Sequence, residues 1–278
     1  PMIRTFYEKR MPLGAAHRTK QRDLRLYMLV GGMPQAVNEY VKTNNLAKVD
    51  AVKRRIIKLY SDDFLKIDPT GKLSKLFMSI PSQLSKKSTR FYTNAVVGEL
   101  EVNTEAEMLI NLEDSKAVLV SYHSDDPNVG LSLTQDISKY KLFVADTGLF
   151  VTMAFWDKDF TENVIYQKLL ADKLEANLGY IYENLVAQML TAAGNKLFYY
   201  TFEKDEKHSY EIDFLLSRGN KICPIEVKSS GYKTHASLDA FRLKYSARIK
   251  NSYLLYIKDL QKGDNELMYL PFYMTGMI

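Results

Sequence analysis

The pattern of apolar and polar positions divides the chain into a helical first quarter, a mixed middle and a strand-rich end. Across residues 4–66 apolar residues recur at helical spacing. Leu24, Leu26, Tyr27 and Val30 mark one helix, and Gly31-Gly32-Met33-Pro34 breaks it, with Pro34 suited to the first turn of the next. Val49, Val52, Ile56, Leu59, Tyr60 and Phe64 predict a long helix over 46–65, which stops at Asp68-Pro69-Thr70-Gly71. The next stretch predicts helices over 72–80 (closed by Pro81), 89–98 and 105–114, then strands over 116–122 and 139–145, a winged-helix pattern. Beyond residue 151, a helix over 169–190 precedes strands at 196–202, 210–216 and 221–228, a helix over 237–249, and strands at 251–257 and 267–273. That order predicts an α/β sandwich. The expected architecture is multi-module α/β: a helical linker or lid region at 1–68, a winged-helix-like module at 69–150 and an α/β domain at 151–278.

In the last module the period-two pattern places chemistry. Tyr210 to Leu216 and Ile222 to Lys228 flank Ser217-Arg218-Gly219-Asn220, which has the composition of a hairpin turn. Residues two apart on a strand share a face. Glu226 and Lys228 therefore point one way, and Cys223, Ile225 and Val227 point the other, towards a core. An antiparallel partner strand can bring Asp213 beside Glu226. Two acidic oxygen ligands with an ammonium beside them are the minimal equipment for metal-assisted hydrolysis of a phosphodiester. On the preceding helix, Glu183 shares a stripe with Val186, Ala187 and Leu190. A carboxylate so placed needs a Lys or Tyr partner, or a cation, to offset its burial.

Bulk properties narrow the picture. The chain has 278 residues, 46% hydrophobic and 26% charged, enough for two or three modules with a substantial core. A single cysteine excludes a disulfide framework and a cysteine-based zinc site, and suits the cytoplasm. No apolar run reaches the roughly 20 residues that a membrane helix needs, so no membrane partner is expected. The net charge of +5 is unevenly spread: +12 over residues 1–90, −7 over 91–150 and zero over 151–278. The basic footprint of a nucleic-acid binder thus lies at the N-terminal end, where a solvated helical surface explains it equally well. In the winged-helix stretch the third helix carries Glu105, Glu107, Glu113 and Asp114, which phosphates repel, so a structural or protein-docking role is expected there. The opening Pro1-Met2-Ile3-Arg4 reads as cut from something longer.

Glu183 on a helix, Asp213 on the second strand and Glu226-x-Lys228 on the third resemble the PD-(D/E)XK nuclease superfamily, whose core has the same order of elements. The resemblance implies Asp213 and Glu226 as ligands of Mg²⁺ or Mn²⁺ and Glu183 as an auxiliary ligand. It implies Lys228 as the group that activates water or stabilises charge, and a nucleic acid such as DNA as substrate. Ile212 stands where the family often has proline. A second resemblance spans most of the chain. Gly31-Gly32-Met33-Pro34, Ile80-Pro81-Ser82-Gln83-Leu84-Ser85-Lys86, Lys141 to Leu149, Glu183-Asn184, and Glu211 to Leu215 followed by Pro224 to Ser230 occur in that order. Together they look like the C-terminal half of bacterial and archaeal AAA-type ATPases, in which an ATP-binding domain precedes a winged helix and a nuclease-like domain of unknown function. The implied partner is that N-terminal ATPase domain.

No ATP site is expected within the chain itself. At Gly71-Lys72 a P-loop would need glycine at Lys66 and Ser or Thr at Leu73. The alternative to a nuclease is a catalytically silent nuclease fold that docks DNA or protein, which the zero net charge of 151–278 favours. Lys233, Arg242, Lys244, Arg248 and Lys250 are candidates for a backbone-binding edge or for a solvated helix face. Tyr199, Tyr200 and Tyr210 could stack on bases or pack the sheet. The four histidines have no metal-ligand spacing.

Overall fold

The computed structural model describes residues 2–158, 164–171, 179–264 and 266–278. Four helices come first: α1 (Met2–Glu8), α2 (Ala15–Val30), α3 (Pro34–Thr43) and α4 (Leu46–Ile67). Then follow α5 (Lys72–Ser85), the single turn α6 (Asn94–Val97), α7 (Val102–Asp114), β1 (Val118–Ser124), β2 (Gln135–Val144) and α8 (Thr147–Ala154). The remainder is α9 (Val164–Leu170), α10 (Gly179–Ala192), β3 (Phe198–Asp205), β4 (His208–Arg218), β5 (Lys221–Lys228), α11 (Ala236–Lys244), β6 (Ser252–Tyr256), β7 (Gln261–Lys262) and β8 (Leu267–Pro271), closed by a 3-10 turn at Phe272–Met277. The fold is mixed α/β, with an N-terminal helical region and a C-terminal mixed sheet of eight strands in the order β2-β1-β3-β4-β5-β6-β8-β7.

Chain contacts form two compact units. The first comprises Pro1–Gln21, Ser121–Lys141 and Glu175–Ile278; the second comprises Arg22–Val120 and Leu142–Leu174. These units cut across the contiguous stretches 1–68, 69–150 and 151–278. The cause is visible in the first unit, where the N-terminal segment is tied to the C-terminal strands. Asp259 accepts hydrogen bonds from the Leu13 and Gly14 amides (3.0 and 2.7 Å), and Gln21 donates to the Ile257 carbonyl (2.6 Å).

Within the first unit, β3, β4 and β5 form an antiparallel meander, while β6 runs parallel to β5 and β8 parallel to β6. Gly219, with φ +67°, makes the two-residue β4–β5 turn, a left-handed backbone that glycine adopts without strain. The expected order of helix, three strands, helix and strand is present. The two strands expected to form a separate wing instead join the large sheet: β1 pairs in parallel with β3 through Tyr122–Phe198 and His123–Tyr199. Alternation sorts the meander's side chains. Tyr200 and Phe202 pack edge-on against Phe241 of α11 (5.8 and 6.0 Å between ring centroids), with Ile212 and Tyr210 opposite them in register. Thr201, Glu211 and Asp213 consequently point to the other face.

In the second unit two sequence motifs form one joint. Asp146 caps α8 by accepting from the Leu149 amide (2.9 Å), and its second oxygen accepts from the Gly32 amide (2.6 Å). Gly31 sits at φ +80°, and a β-carbon there would lie 2.3 Å from the Asp146 carboxylate. A β-carbon on Gly148 would lie 2.5 Å from the Gly31 α-carbon. Lys53 of α4, only 1% exposed, donates to the Leu29 carbonyl (2.6 Å) and the Gly148 carbonyl (3.2 Å). The helix α5 continues through Pro81 to Ser85 rather than closing there. Proline costs that helix one backbone hydrogen bond, but Pro81 is buried in the last turns beside Ile80 and Leu84, where packing offsets the loss. The second expected helix is reduced to one turn, and α8, over Thr147–Ala154, lies where no helix was expected because every residue from Thr147 to Met153 is buried and the stretch has no polar face. The expected helix over 169–190 is present as α10; residues 172–178 lie outside the described residues.

Two outcomes follow. Gly148→Ala should destabilise the protein by about 2–4 kcal/mol, because its β-carbon meets backbone that cannot swing aside; an unchanged urea midpoint would contradict the joint. Burial depresses the Lys53 ammonium from 10.5 to about 8, against the opposing pull of Asp50 and Asp146. Between those values the unfolded chain holds the proton and the folded one does not, so stability rises with pH across that window. Relative to Lys53→Met, the wild type should gain about 3 kcal/mol by pH 10.5 in denaturant titrations.

Candidate functional site

The sequence-derived constellation converges in the first unit. The β4–β5 ladder pairs Phe214 with Ile225; one further step in that register sets Asp213 level with Glu226. There the ladder opens, because the Val227 amide donates to the Asp213 carboxylate (2.7 Å). Glu226, 5% exposed, accepts from the Lys228 ammonium through Oε1 (2.8 Å) and from the Leu238 amide, in the first turn of α11, through Oε2 (3.2 Å). The positive end of a helix and an ammonium thus both stabilise its charge. Glu183 projects from α10, half-buried, and its charge acts on Asp213, Lys228 and Lys141. All four expected residues, Glu183, Asp213, Glu226 and Lys228, therefore share one electrostatic site.

Two members were not foreseen. Glu211 lies two residues before Asp213 on the same face, and Lys141 from β2 donates its ammonium to Glu211 Oε1. Lys141 is 6% exposed and lies 5.2 Å from the centre of the Tyr199 ring. The signal for Glu211 was available in the alternation that paired Glu226 with Lys228. Lys141 is 70 residues away, in a strand expected to belong to another module. Beside them, His123 bonds Asp125 through Nδ1 and Thr201 through Nε2, both at 2.9 Å. Its Nε2 also accepts from the Thr201 amide (3.2 Å), which places the proton on Nδ1. Burial lowers its pKa despite Asp125, so the ring is neutral at pH 7.

Crowding of charge decides the protonation of the site. Burial pushes the Asp213 carboxyl well above the usual aspartate range, and the charges of Glu183, Glu211 and Glu226 push it further; Lys141 pulls the other way. Burial alone would lower the pKa of both lysines. The carboxylates outweigh it: Glu211, Glu183 and Asp213 for Lys141, and Glu226, Asp213 and Glu183 for Lys228, so both ammonium groups are held above the ordinary lysine range.

The remaining candidates make packing and hydrogen-bonding contacts. Arg242 donates to the Asp264 carbonyl (2.7 Å), and Lys244 lies over the rings of Phe202 and Tyr245. Tyr199 and Tyr200 are buried in the sheet, where they pack rather than present a stacking surface. Among the described residues, no three His, Cys, Asp or Glu side chains are gathered tightly enough to hold a metal ion as they stand, and no helix is long and apolar enough to cross a membrane.

The profile of a domain of unknown function (DUF8612) matches residues 21–159, half of the chain. The chain belongs to the DUF8612 family. This DUF8612 protein also matches, over residues 178–273, a second domain of unknown function (DUF4143), the stretch that carries Glu183, Glu211, Asp213, Glu226 and Lys228. No curated protein and no solved structure matches it.

The electrostatics carry a consequence for stability. A folded-state pKa raised at Asp213 means that the folded protein binds the proton more tightly than the unfolded one, so stability falls as pH rises from the ordinary aspartate value. Asp213→Asn keeps an oxygen for the Val227 amide and removes the charge. In buffer containing EDTA it should raise the melting temperature by several degrees at pH 7 and by little at pH 4. An equal shift at both pH values would contradict the crowding.

Proposed function

We propose that this protein is the nuclease-like, C-terminal part of a AAA-type ATPase, and that its α/β domain of PD-(D/E)XK type binds Mg²⁺ or Mn²⁺ and hydrolyses phosphodiesters of nucleic acid. The observation that carries this reading is the convergence of Asp213, Glu226, Lys228 and Glu183, which come from two strands and a helix, at the opened end of one strand ladder. The donors are all hard oxygens, as such a cation requires, and Mg²⁺ is commonly held by one or two carboxylates with waters and substrate phosphates completing the shell. Oδ1 of Asp213 accepts no hydrogen bond, and the oxygens of Glu226 retain lone pairs beside their single donors.

When bound, the cation supplies Lewis-acid chemistry at the phosphate. The protein's own groups do the rest. Asp213 and Glu226 present the oxygens, and the Val227 and Leu238 amides fix their orientation. Lys228, held against Glu226, offers its ammonium to the charge that grows on the phosphoryl oxygens, a contribution worth about 10²–10³ in rate at comparable sites. The winged-helix-like elements α5, α6 and α7 supply a docking surface towards the ATPase domain in this reading.

A second reading has its own support. Lys141 and Lys228 already sit on two of the carboxylates, and residues 151–278 carry no net positive charge to draw a polyanion. A silent nuclease fold that docks DNA or protein fits those two facts.

The test is incubation of the full chain with single- and double-stranded DNA and RNA in Mn²⁺, Mg²⁺ or EDTA. Cleavage should require the metal, be lost in Asp213→Ala and fall at least about 10²-fold in Lys228→Met. Absence of cleavage in every form, with the variants and wild type alike, would leave the docking reading in its place.

A further inference from the structure

The motif assigns the metal to Asp213 and Glu226, yet the hydrogen bonds distribute the carboxylate oxygens differently. Both oxygens of Glu226 already take a donor, Lys228 on one and the Leu238 amide on the other. Asp213 spends one oxygen on the Val227 amide, and Glu211 spends one on Lys141. Among the described residues, Oδ1 of Asp213 and Oε2 of Glu211 accept no hydrogen bond. The two residues are separated by a single position on β4, just where its register against β3 shifts, and the charge of Glu211 acts on Asp213. Adjacent same-face positions on a strand lie roughly 6–7 Å apart at the backbone, a span that the longer glutamate side chain can close around an ion.

Nothing in the strand itself would hold Glu211 in that posture. Lys141 does so from β2. It is nearly inaccessible and seats its ammonium on Oε1, which leaves Oε2 without that partner. Tyr199 lies against the same ammonium. A buried lysine spent on a glutamate beside an acidic site resembles the outer partners that orient metal ligands.

Resting on the metal-binding reading above, we propose that Glu211 is a ligand of the cation together with Asp213, and that Lys141 is the residue that positions it. The site would then take its first two protein oxygens from one strand, with Glu226 completing the shell from β5.

Calorimetric titration of the full chain with MnCl₂ at neutral pH reads this directly and needs no turnover. The wild type should bind Mn²⁺, and Asp213→Asn should abolish binding. Glu211→Gln, which still accepts from Lys141, should weaken binding by about tenfold or more. Glu203→Gln, at an exposed position on β3, should leave it unchanged. A wild type that binds no Mn²⁺ overturns the metal reading itself. Binding that is lost in Asp213→Asn but retained at wild-type affinity in Glu211→Gln overturns the role of Glu211 alone. Should Glu211→Gln lack the far-ultraviolet dichroism of the wild type, Glu211→Asp, which keeps the charge for Lys141, takes its place. A loss of several-fold is expected there, and unchanged affinity overturns the proposal.

Discussion

The site is governed by one electrostatic constraint: four carboxylates, Glu183, Glu211, Asp213 and Glu226, have been drawn to one place, where the other three raise the cost of charging Asp213. Withdrawing such groups from water costs several kcal/mol each unless opposite charge and hydrogen bonds accompany them. The fold meets that cost with cations and dipoles brought from separate elements. Lys228 comes from the same strand as Glu226, the α11 amide from the following helix, and Lys141 from a strand 70 residues distant. The position of β2 alongside β1, and of β1 in parallel with β3, delivers Lys141 to Glu211. The sheet's extension by two strands is thus part of the site's charge balance.

How much of this was legible in the sequence follows from the range of each interaction. The pairing of Glu226 with Lys228, and of both with Asp213, depends on strand alternation and one hairpin, and those are local. Gly219 at the turn fixes the register, and the rest follows by counting. The same counting applies to Glu211, but the motif that directed attention to Asp213 has no place for a second acid two residues earlier. Lys141 depends on a non-local pairing of strands, and nothing in its neighbourhood distinguishes a site lysine from a surface one. In the helical half, Pro81 argued for a helix end and packing prevailed: a residue whose propensity costs a hydrogen bond is tolerated where its ring is buried. The helix α8 escaped notice because its residues are apolar all round, which leaves no periodicity to read.

The glycine motif at residues 31–32 and the Ala145–Leu149 stretch belong to the same account. In the sequence they were separate signals in an ordered set. In the structure they are two sides of one contact, in which Gly148 admits the Gly31 backbone, Asp146 takes the Gly32 amide, and Lys53 ties both carbonyls together. Their constraint is steric: a side chain at either glycine meets backbone or a buried carboxylate within 2.5 Å. The features that made the chain recognisable therefore divide into a structural joint in one unit and a charged site in the other.

That division bears on the two readings of the site. A relic kept only for docking would be under no physical requirement to crowd buried carboxylates, since each like charge weakens the fold. Among the described residues, Lys141 and Lys228 answer two of the four carboxylates, Glu211 and Glu226, by ion pairs. Asp213, between them, bears the crowding as a raised pKa, caused by burial and by the charges of Glu183, Glu211 and Glu226. A single divalent ion has the charge to cancel it. Each lysine occupies one oxygen of its carboxylate, Lys141 on Glu211 and Lys228 on Glu226, and among the described residues Oδ1 of Asp213 accepts no hydrogen bond. The crowding at Asp213 is therefore the feature that the proposed metal-binding reading gives a role and the proposed docking reading does not.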